Sequence, residues 1–172
     1  MKGTLRSLFI LLIITVNIGC DQLSKTVARN NLTYYETTNI IGNHFVLTKI
    51  ENSGAFLSIG DSIPYAAKFI LLSVIPLLAL LYGIYYLLRY PQLPSLLIVG
   101  LCFVIGGGLG NLYDRFRYGS VTDFLHLDLY IFKTGIFNLA DVSIMMGMAM
   151  ILINTYSRRT NNQDIIEQEQ SL

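Results

Sequence analysis

Two aspartates stand where acid–base chemistry would be costly to place. Asp123 lies in Val121-Thr122-Asp123-Phe124 and Asp141 in Phe137-Asn138-Leu139-Ala140-Asp141, each at the edge of a long apolar run. A carboxylate at bilayer depth costs on the order of 2.5–3.5 kcal/mol on insertion scales. Two carboxylates held close do not both ionise easily, so they share a proton and can act together as acid and base on a water. The chemistry this points to is an aspartyl-protease dyad at a membrane surface. Each acid also has a plainer reading, as a partner for Lys25 or Arg115. Asp141 resists it more, since it sits inside the last apolar run with Asn138 three residues earlier on the same helical face.

Competing hydrolytic chemistries lack their residues. A zinc peptidase of the His-Glu-x-x-His type needs two histidines on one helix, and the only histidines, His44 and His126, lie far apart. Cys20 and Cys102 fall in apolar runs, have no His nearby in sequence, and as isolated thiols make neither a disulfide framework nor a metal-ligand spacing. No metal and no organic cofactor is expected.

Other polar motifs border the apolar runs. Asp21 and Lys25 are spaced i,i+4 with the acid first, the favourable order on a helix; the pair reads either as an interfacial ion pair or as part of a polar site. Asn52-Ser53-Gly54-Ala55-Phe56 reads as a turn, or as an amide that holds a peptide with Phe56 covering it. Gly106-Gly107-Gly108-Leu109-Gly110-Asn111 lacks the Lys-Ser/Thr of a phosphate loop and suits close helix packing in lipid. On that helix Gly107, Asn111 and Arg115 share a face, a stripe that would also suit an extended peptide. Asp114 beside Arg115 reads as interfacial, and Asp128 as a loop residue.

The elements that must position these groups are membrane helices. The chain has 172 residues, 53% hydrophobic and 13% charged, with mean hydropathy +0.54. Soluble domains carry roughly 25% charged residues, so charge is depleted about twofold. A net charge of +1 makes no case for nucleic acid. Eleven Tyr and nine Phe can anchor at interfaces. Crossing a bilayer takes about 20 helical residues, and four segments qualify: residues 5–25, 65–88, 93–113 and 136–156. Pro76 should kink the second. The expected fold is therefore mainly α, a single membrane-embedded domain over residues 1–157. A polar tail is expected over 158–172, disordered from Thr160 onward.

Two longer connections, 26–64 and 114–135, should lie on one side, with the termini and the 89–94 turn on the other. The first reads as short strands at 45–50 and 55–59 around the Asn52-Ser53-Gly54 turn. The positive-inside rule does not orient the chain. Lys2, Arg6, Arg89, Arg158 and Arg159 stand against Lys25, Arg29, Lys49, Lys68, Arg115, Arg117 and Lys133, unless Lys25 and Arg115 are bound up in a polar site. Residues 1–20 end in Ile18-Gly19-Cys20 and look like a lipoprotein signal peptide. Asn17 and the three further spans favour an uncleaved first helix instead.

Four motifs in order carry a resemblance: Asp21-Gln-x-Ser-Lys25, Asn52-x-Gly-Ala-Phe56, Gly106-Gly-x-x-Gly-Asn-x-x-Asp-Arg115 with the later Asp123-Phe124, and Phe137-Asn-x-Ala-Asp141. Together, over about residues 5–156, they resemble the bacterial lipoprotein signal peptidase (signal peptidase II) family. Gly108 stands where that family often has Ala, and Thr122 where it often has Val. The resemblance implies four transmembrane helices, a small extracytoplasmic β-region with a lid, and cytoplasmic termini in the inner membrane. It implies an aspartic endopeptidase that removes the signal peptide of prolipoproteins just before a diacylglyceryl-modified Cys, near the outer leaflet. Asp123 and Asp141 would be catalytic. Asp21, Lys25, Asn52, Gly54, Phe56, Gly107, Asn111, Arg115 and Asn138 would support the site or bind substrate. The partners implied are diacylated prolipoproteins, membrane lipid and inhibitory cyclic peptides of the globomycin type, with the protein a monomer. The alternative from another class is a small transporter or channel with intramembrane acids; no inverted repeat of the kind many transporters show is present.

Overall fold

A computed structural model of the chain describes residues 3–41, 44–54, 64–129, 131 and 133–170, with side chains for all of these except residues 65 and 160–170. Among the described residues, four helical spans and one small sheet make up the fold. The first span, α1, runs Thr4–Asn31. Its buried residues Ile10, Ile14, Asp21, Lys25 and Ala28 recur at helical spacing. Apolar at first and ionic later, this one stripe meets the core with one half and the polar site with the other. The helix outruns the expected end at residue 25 because the ionic turns of its stripe find partners inside the protein.

The second span is broken in pattern but not in path. It comprises α2 (Tyr65–Phe69), a π-helical turn (Ile70–Val74) and α3 (Ile75–Arg89). Proline in a helix removes one N–H and presses its ring on the carbonyl four residues back. Here Pro76 falls at the start of α3, directly after the widened turn, and the Ile75 N–H reaches back to the Ile70 carbonyl. Where a kink was expected, the structure has a π-turn with Ser73 buried in it.

The third span, α4 (Ser95–Tyr118), is closed by Gly119 in the left-handed region at φ 78°, where only glycine is free of strain. The last, α5, runs Leu139–Gln170. The stretch expected as a disordered tail therefore continues as helix. No Gly or Pro follows Gly147 to stop it. A core of Ile10, Ile14, Leu87, Ile98, Cys102 and Ile105 forms where α1, α3 and α4 meet. Outward residues such as Leu12, Leu78 and Leu152 stay exposed, as lipid-facing positions should. All four spans are long and apolar enough to cross a membrane. Helices α4 and α5 meet through glycine: a Cβ on Gly147 would fall 2.5 Å from the Gly100 carbonyl oxygen, which lets the two backbones touch.

Both connections feed one antiparallel sheet, ordered β1 (Thr37–Ile41), β2 (Phe45–Asn52), β3 (Val121–Leu127). This joins the two connections on one side of the bundle, as four crossings require. Two strands were not foreseen. The hairpin partner β1 is exposed throughout, so it shows no alternation of burial. β3 lies in a connection read as loop, yet its first four residues are buried. The second strand expected at 55–59 lies outside the described residues. In register, Ile50 faces Asp123 and Asn52 faces Val121. The segment before α5 is held to β3 as well: the Phe137 carbonyl accepts from the Phe124 and Leu125 N–H groups, and its own N–H donates to the Leu125 carbonyl. Substituting Gly147 with Leu should force α4 and α5 apart, an overpacking cost of about 1–3 kcal/mol. The expected outcome is a melting temperature in detergent lower by several degrees, read by thermal unfolding; an unchanged midpoint would contradict this packing.

Candidate active site

The site grows from one buried ammonium. Lys25 and Asp114 are fully buried, and Asp21 nearly so. The Lys25 Nζ has three protons to place and finds three oxygens: Asp21 Oδ2 at 2.9 Å, Asp114 Oδ2 at 3.0 Å and Asn111 Oδ1 at 2.8 Å. Arg29, one further turn along α1, brings its Nη2 to 2.9 Å from Asp114 Oδ1. That contact is too far off line for a hydrogen bond and acts as a charge pair. Its Nε donates to Thr122 Oγ1 at 2.9 Å, and Thr122 donates to Glu51 Oε1 at 2.8 Å. Two acids and two bases thus cancel, as buried charges must to be tolerated. Gln22 adds donations to Asp21, Asp114 and the Gly110 carbonyl. Gly110 has to be bare, because a Cβ there would lie 2.5 Å from Asp21 Oδ2.

This cluster fixes the start of α5. Asp21 Oδ1 accepts the Ala140 N–H at 3.0 Å. Asn138 caps the helix: its carbonyl takes the first intrahelical bond, from the Val142 N–H. Its Oδ1 accepts the Asp141 N–H at 3.0 Å, and Asp141 Oδ2 accepts the Asn138 N–H at 3.1 Å. This is the reciprocal arrangement of a capping box, with an Asn and an Asp in the two roles. Asp141 also accepts from Asn111 Nδ2 at 2.8 Å, the same amide whose oxygen faces Lys25. The ammonium therefore sets the amide's orientation, and the amide orients the acid.

The second acid comes from the sheet. Asp123 is the third residue of β3 and 2% exposed. Its Oδ2 accepts from Asn52 Nδ2 at 3.0 Å and its Oδ1 from Asn138 Nδ2 at 2.6 Å. One residue, Asn138, is thus hydrogen-bonded to both acids. Burial raises the Asp123 carboxyl from 3.8 to about 6; the nearby Asp141 charge adds to the rise, and the Asn52 and Asn138 amides oppose it. Both acids line a pocket with Asn52, Asn111, Arg115, Val121, Ile136 and Asn138. It offers about 60 Å³ to water, more than the roughly 10–15 Å³ one molecule needs. Among the described residues, no group of three or more His, Cys, Asp or Glu side chains could hold a metal.

Of the residues singled out in the sequence, Asp21, Lys25, Asn111, Asn138, Asp123 and Asp141 form this one network. Asn52 is part of it, its amide engaged on Asp123 and its Oδ1 accepting the Gly54 N–H at 3.1 Å. Gly54 joins through its carbonyl, which accepts from Arg115 Nη2 at 3.2 Å. Gly107 is placed differently from the peptide-facing stripe: a Cβ there would run into the Ala140 carbonyl and Ile144, so its bare backbone faces α5. Phe56 lies outside the described residues. Sequence reasoning left out Gln22, Arg29, Glu51 and Thr122, and read Asp114 as merely interfacial. Spacing held the missed signal, since Arg29 continues the Asp21–Lys25 stripe by four residues and Asp114 follows Asn111 by three.

A four-helix membrane protein with two acids and three amides converging on one water-sized pocket has the form of a membrane hydrolase. Comparison with known proteins narrows this. The family profile described as "Signal peptidase (SPase) II" matches residues 13–157. Proteins named lipoprotein signal peptidase are similar along most of their length. The one from Clostridium acetobutylicum is 37% identical over 83% of this chain and 90% of its own. The one from Clostridioides difficile is 38% identical over 85% and 93%. Two solved bacterial membrane enzymes share the fold, with TM-scores of 0.79 at 24% identity over 89% of this chain and 90% of that one, and 0.74 at 25% identity over 86% and 92%. The chain belongs to the signal peptidase II family of lipoprotein signal peptidases, and is a multi-pass membrane peptidase.

The raised Asp123 carboxyl has a stability consequence with a definite sign. The folded state holds this proton more tightly than the unfolded chain, so its contribution is complete below about pH 4 and is lost as pH rises through about 6. Wild-type protein should therefore lose stability between pH 4.5 and 7.5, by an amount on the order of 2 kcal/mol from this group, and Asp123→Asn should lack that part of the decline. Thermal unfolding of both proteins across this range checks it; parallel curves would contradict the assignment.

Proposed function

We propose that this chain is an aspartic endopeptidase that removes the signal peptide of diacylglyceryl-modified prolipoproteins, cutting just before the lipidated Cys, with Asp123 and Asp141 as the catalytic pair. The observation that carries the reading is that these two acids come from different elements, β3 and α5, yet both hydrogen-bond to Asn138 and line one pocket. The membership in the signal peptidase II family supplies the peptide and lipoprotein side of it.

In this mechanism the pair holds one proton between its two carboxyls. The ionised member takes a proton from water as that water attacks the carbonyl before the Cys. The protonated member polarises the carbonyl and then delivers its proton to the leaving amine. Asn138, Asn52 and Asn111 keep the acids aimed. Arg115 lies on the pocket wall and ties it to the turn at Gly54, where the extended substrate would enter with its acyl chains left in the bilayer. Phe56, just beyond that turn, is the proposed cover over bound peptide. The machinery needs no metal or organic cofactor, works as a monomer, and is open to cyclic-peptide inhibitors of the globomycin type that mimic the substrate.

An orientation with cytoplasmic termini in the inner membrane, and the pocket at the outer leaflet, is supported by where the cations go. On the sheet side Lys25 and Arg29 are matched by Asp21 and Asp114, Lys133 pairs with Asp128, and Lys49 is buried with its Nζ on the Arg29 carbonyl. On the terminal side Arg89, Arg158 and Arg159 stay exposed. Setting aside Lys25, Arg29 and Lys133, which face acids, leaves Lys49, Lys68, Arg115 and Arg117 on the sheet side against Lys2, Arg6, Arg89, Arg158 and Arg159 on the terminal side, a narrow excess in the direction of the positive-inside rule.

Two measurements bear on the mechanism. Asp123→Asn and Asp141→Asn should each lower turnover of a diacylated prolipoprotein by about 10²–10⁴-fold, with membrane insertion unchanged; near-wild-type turnover of either variant would refute the dyad. The pair loses its shared proton on the alkaline side. Values of kcat/KM should therefore fall as pH rises past a midpoint at or above the value of about 6 set by Asp123, and a flat profile from pH 5 to 9 would contradict the shared proton.

A further inference from the structure

At the other end of α1 lies another buried cation, without the carboxylate partners Lys25 has. Arg6 stands about 28 Å along the helix from Lys25 at 1.5 Å per residue, close to the thickness of a bilayer's hydrocarbon core. It is 6% exposed. Its Nη2 donates to the Tyr90 carbonyl at 3.0 Å, at the C-terminal end of α3. Its Nε is buried with no partner, and no carboxylate pairs with the guanidinium among the described residues. A guanidinium offers five N–H donors, and burying a charge with no counter-ion is among the costlier arrangements in a protein. An anion from outside the chain would relieve it.

The space for one is present. Arg6 lines a pocket of about 210 Å³ with Phe9, Pro91, Leu93, Ser95, Ile98 and Val99. Helix α4 begins on its wall at Ser95 with no side-chain cap, so first-turn N–H groups lacking intrahelical acceptors, and the positive end of the helix dipole, lie there too. Two independent sources of positive potential therefore meet in a pocket whose other walls are apolar. A soluble anion would use the charge and waste the walls. A phospholipid uses both, and Phe9, on the outer side of α1, is partly exposed toward the bilayer. Exposed Arg89 near this end adds to the field that draws anionic lipid, about 1 kcal/mol per cation near the surface.

We propose that this pocket, between the start of α1, the α3–α4 turn and the start of α4, binds the phosphate headgroup of an anionic phospholipid from the leaflet opposite the Asp123–Asp141 pocket. Arg6 and the α4 N-terminus hold the phosphate; Phe9, Leu93, Ile98 and Val99 contact the adjoining glycerol and upper acyl chains. The site is separate from the peptidase pocket and its occupancy does not depend on the proposed catalytic chemistry.

The test is a thermal-unfolding titration of delipidated protein in neutral detergent with phosphatidylglycerol, with phosphatidylcholine, and with inorganic phosphate. Phosphatidylglycerol should raise the midpoint saturably and the other two should not. Arg6→Gln should weaken the apparent affinity for phosphatidylglycerol by about tenfold or more, the worth of a charge-assisted hydrogen bond in a sheltered site. Should that variant fail to fold, Val99→Phe decides: it fills the pocket while leaving the Arg6–Tyr90 bond, and should lose the phosphatidylglycerol response. An equal response to phosphatidylcholine, an equal shift from phosphate alone, or a wild-type response in the variants that fold would each overturn the proposal. Peptidase activity, measured in parallel, keeps this outcome distinct from any failure of the dyad.

Discussion

The fold turns on a lysine ammonium held inside a membrane protein by three oxygens. Lys25 joins Asp21 on its own helix to Asp114 and Asn111 on α4, and Asp21 then reaches the first turn of α5 at Ala140. Three spans are pinned at one depth by groups that no lipid or water would satisfy as well. Breaking such a cluster by removing one member typically costs about 3–5 kcal/mol, because the remaining charges stay buried and unmatched. The bareness of Gly110 and Gly107 follows from the same constraint: at one the space belongs to the Asp21 carboxylate, at the other to the Ala140 carbonyl.

Stability and reactivity pull apart at Asp123. Lys25 is given every partner it needs, whereas Asp123 is buried beside another acid with amides as its hydrogen-bond donors. A site built for stability would have paired it with a cation. Raised proton affinity at a buried, pocket-lining acid is the pattern expected of a group that must hand a proton on, and the folded protein bears its cost at neutral pH. Asn138 lets the two functions coexist, since it caps α5 with its backbone and Oδ1 while its Nδ2 steadies Asp123.

Much of this was legible in the sequence. The four spans announced themselves as apolar runs, and the acids stood out because charge is so scarce between them. The resemblance to the signal peptidase family, carried by four short motifs, led to the same fold and family. The sheet was less legible: β1 is exposed on both faces and so carries no periodic signal, and β3 has the polar Thr122 and Asp123 within its buried first half, so its burial shows only once it pairs alongside β2. Asp114 was misjudged for a similar reason. Next to Arg115 it looks locally paired, yet its partners Lys25 and Arg29 lie on a different helix. Local spacing reveals which residues share a face, and only tertiary packing decides which face meets which. The π-turn before Pro76 is the same lesson in the backbone: proline predicts a disturbance, and the neighbouring helices choose its form.

The proposed dyad depends on the Asp141 charge contributing to the raised proton affinity of Asp123. Carboxyl resonances of aspartate-labelled protein in lipid nanodiscs, followed across pH in the wild type and in Asp141→Asn, test it most directly. If the acids share a field, removing the Asp141 charge lowers the midpoint of Asp123 from its value of about 6, because one of the influences that raises it is gone. An Asp123 midpoint that does not move when Asp141 is replaced by Asn would mean that the Asp141 charge does not act on Asp123, and the proposed shared proton would fall.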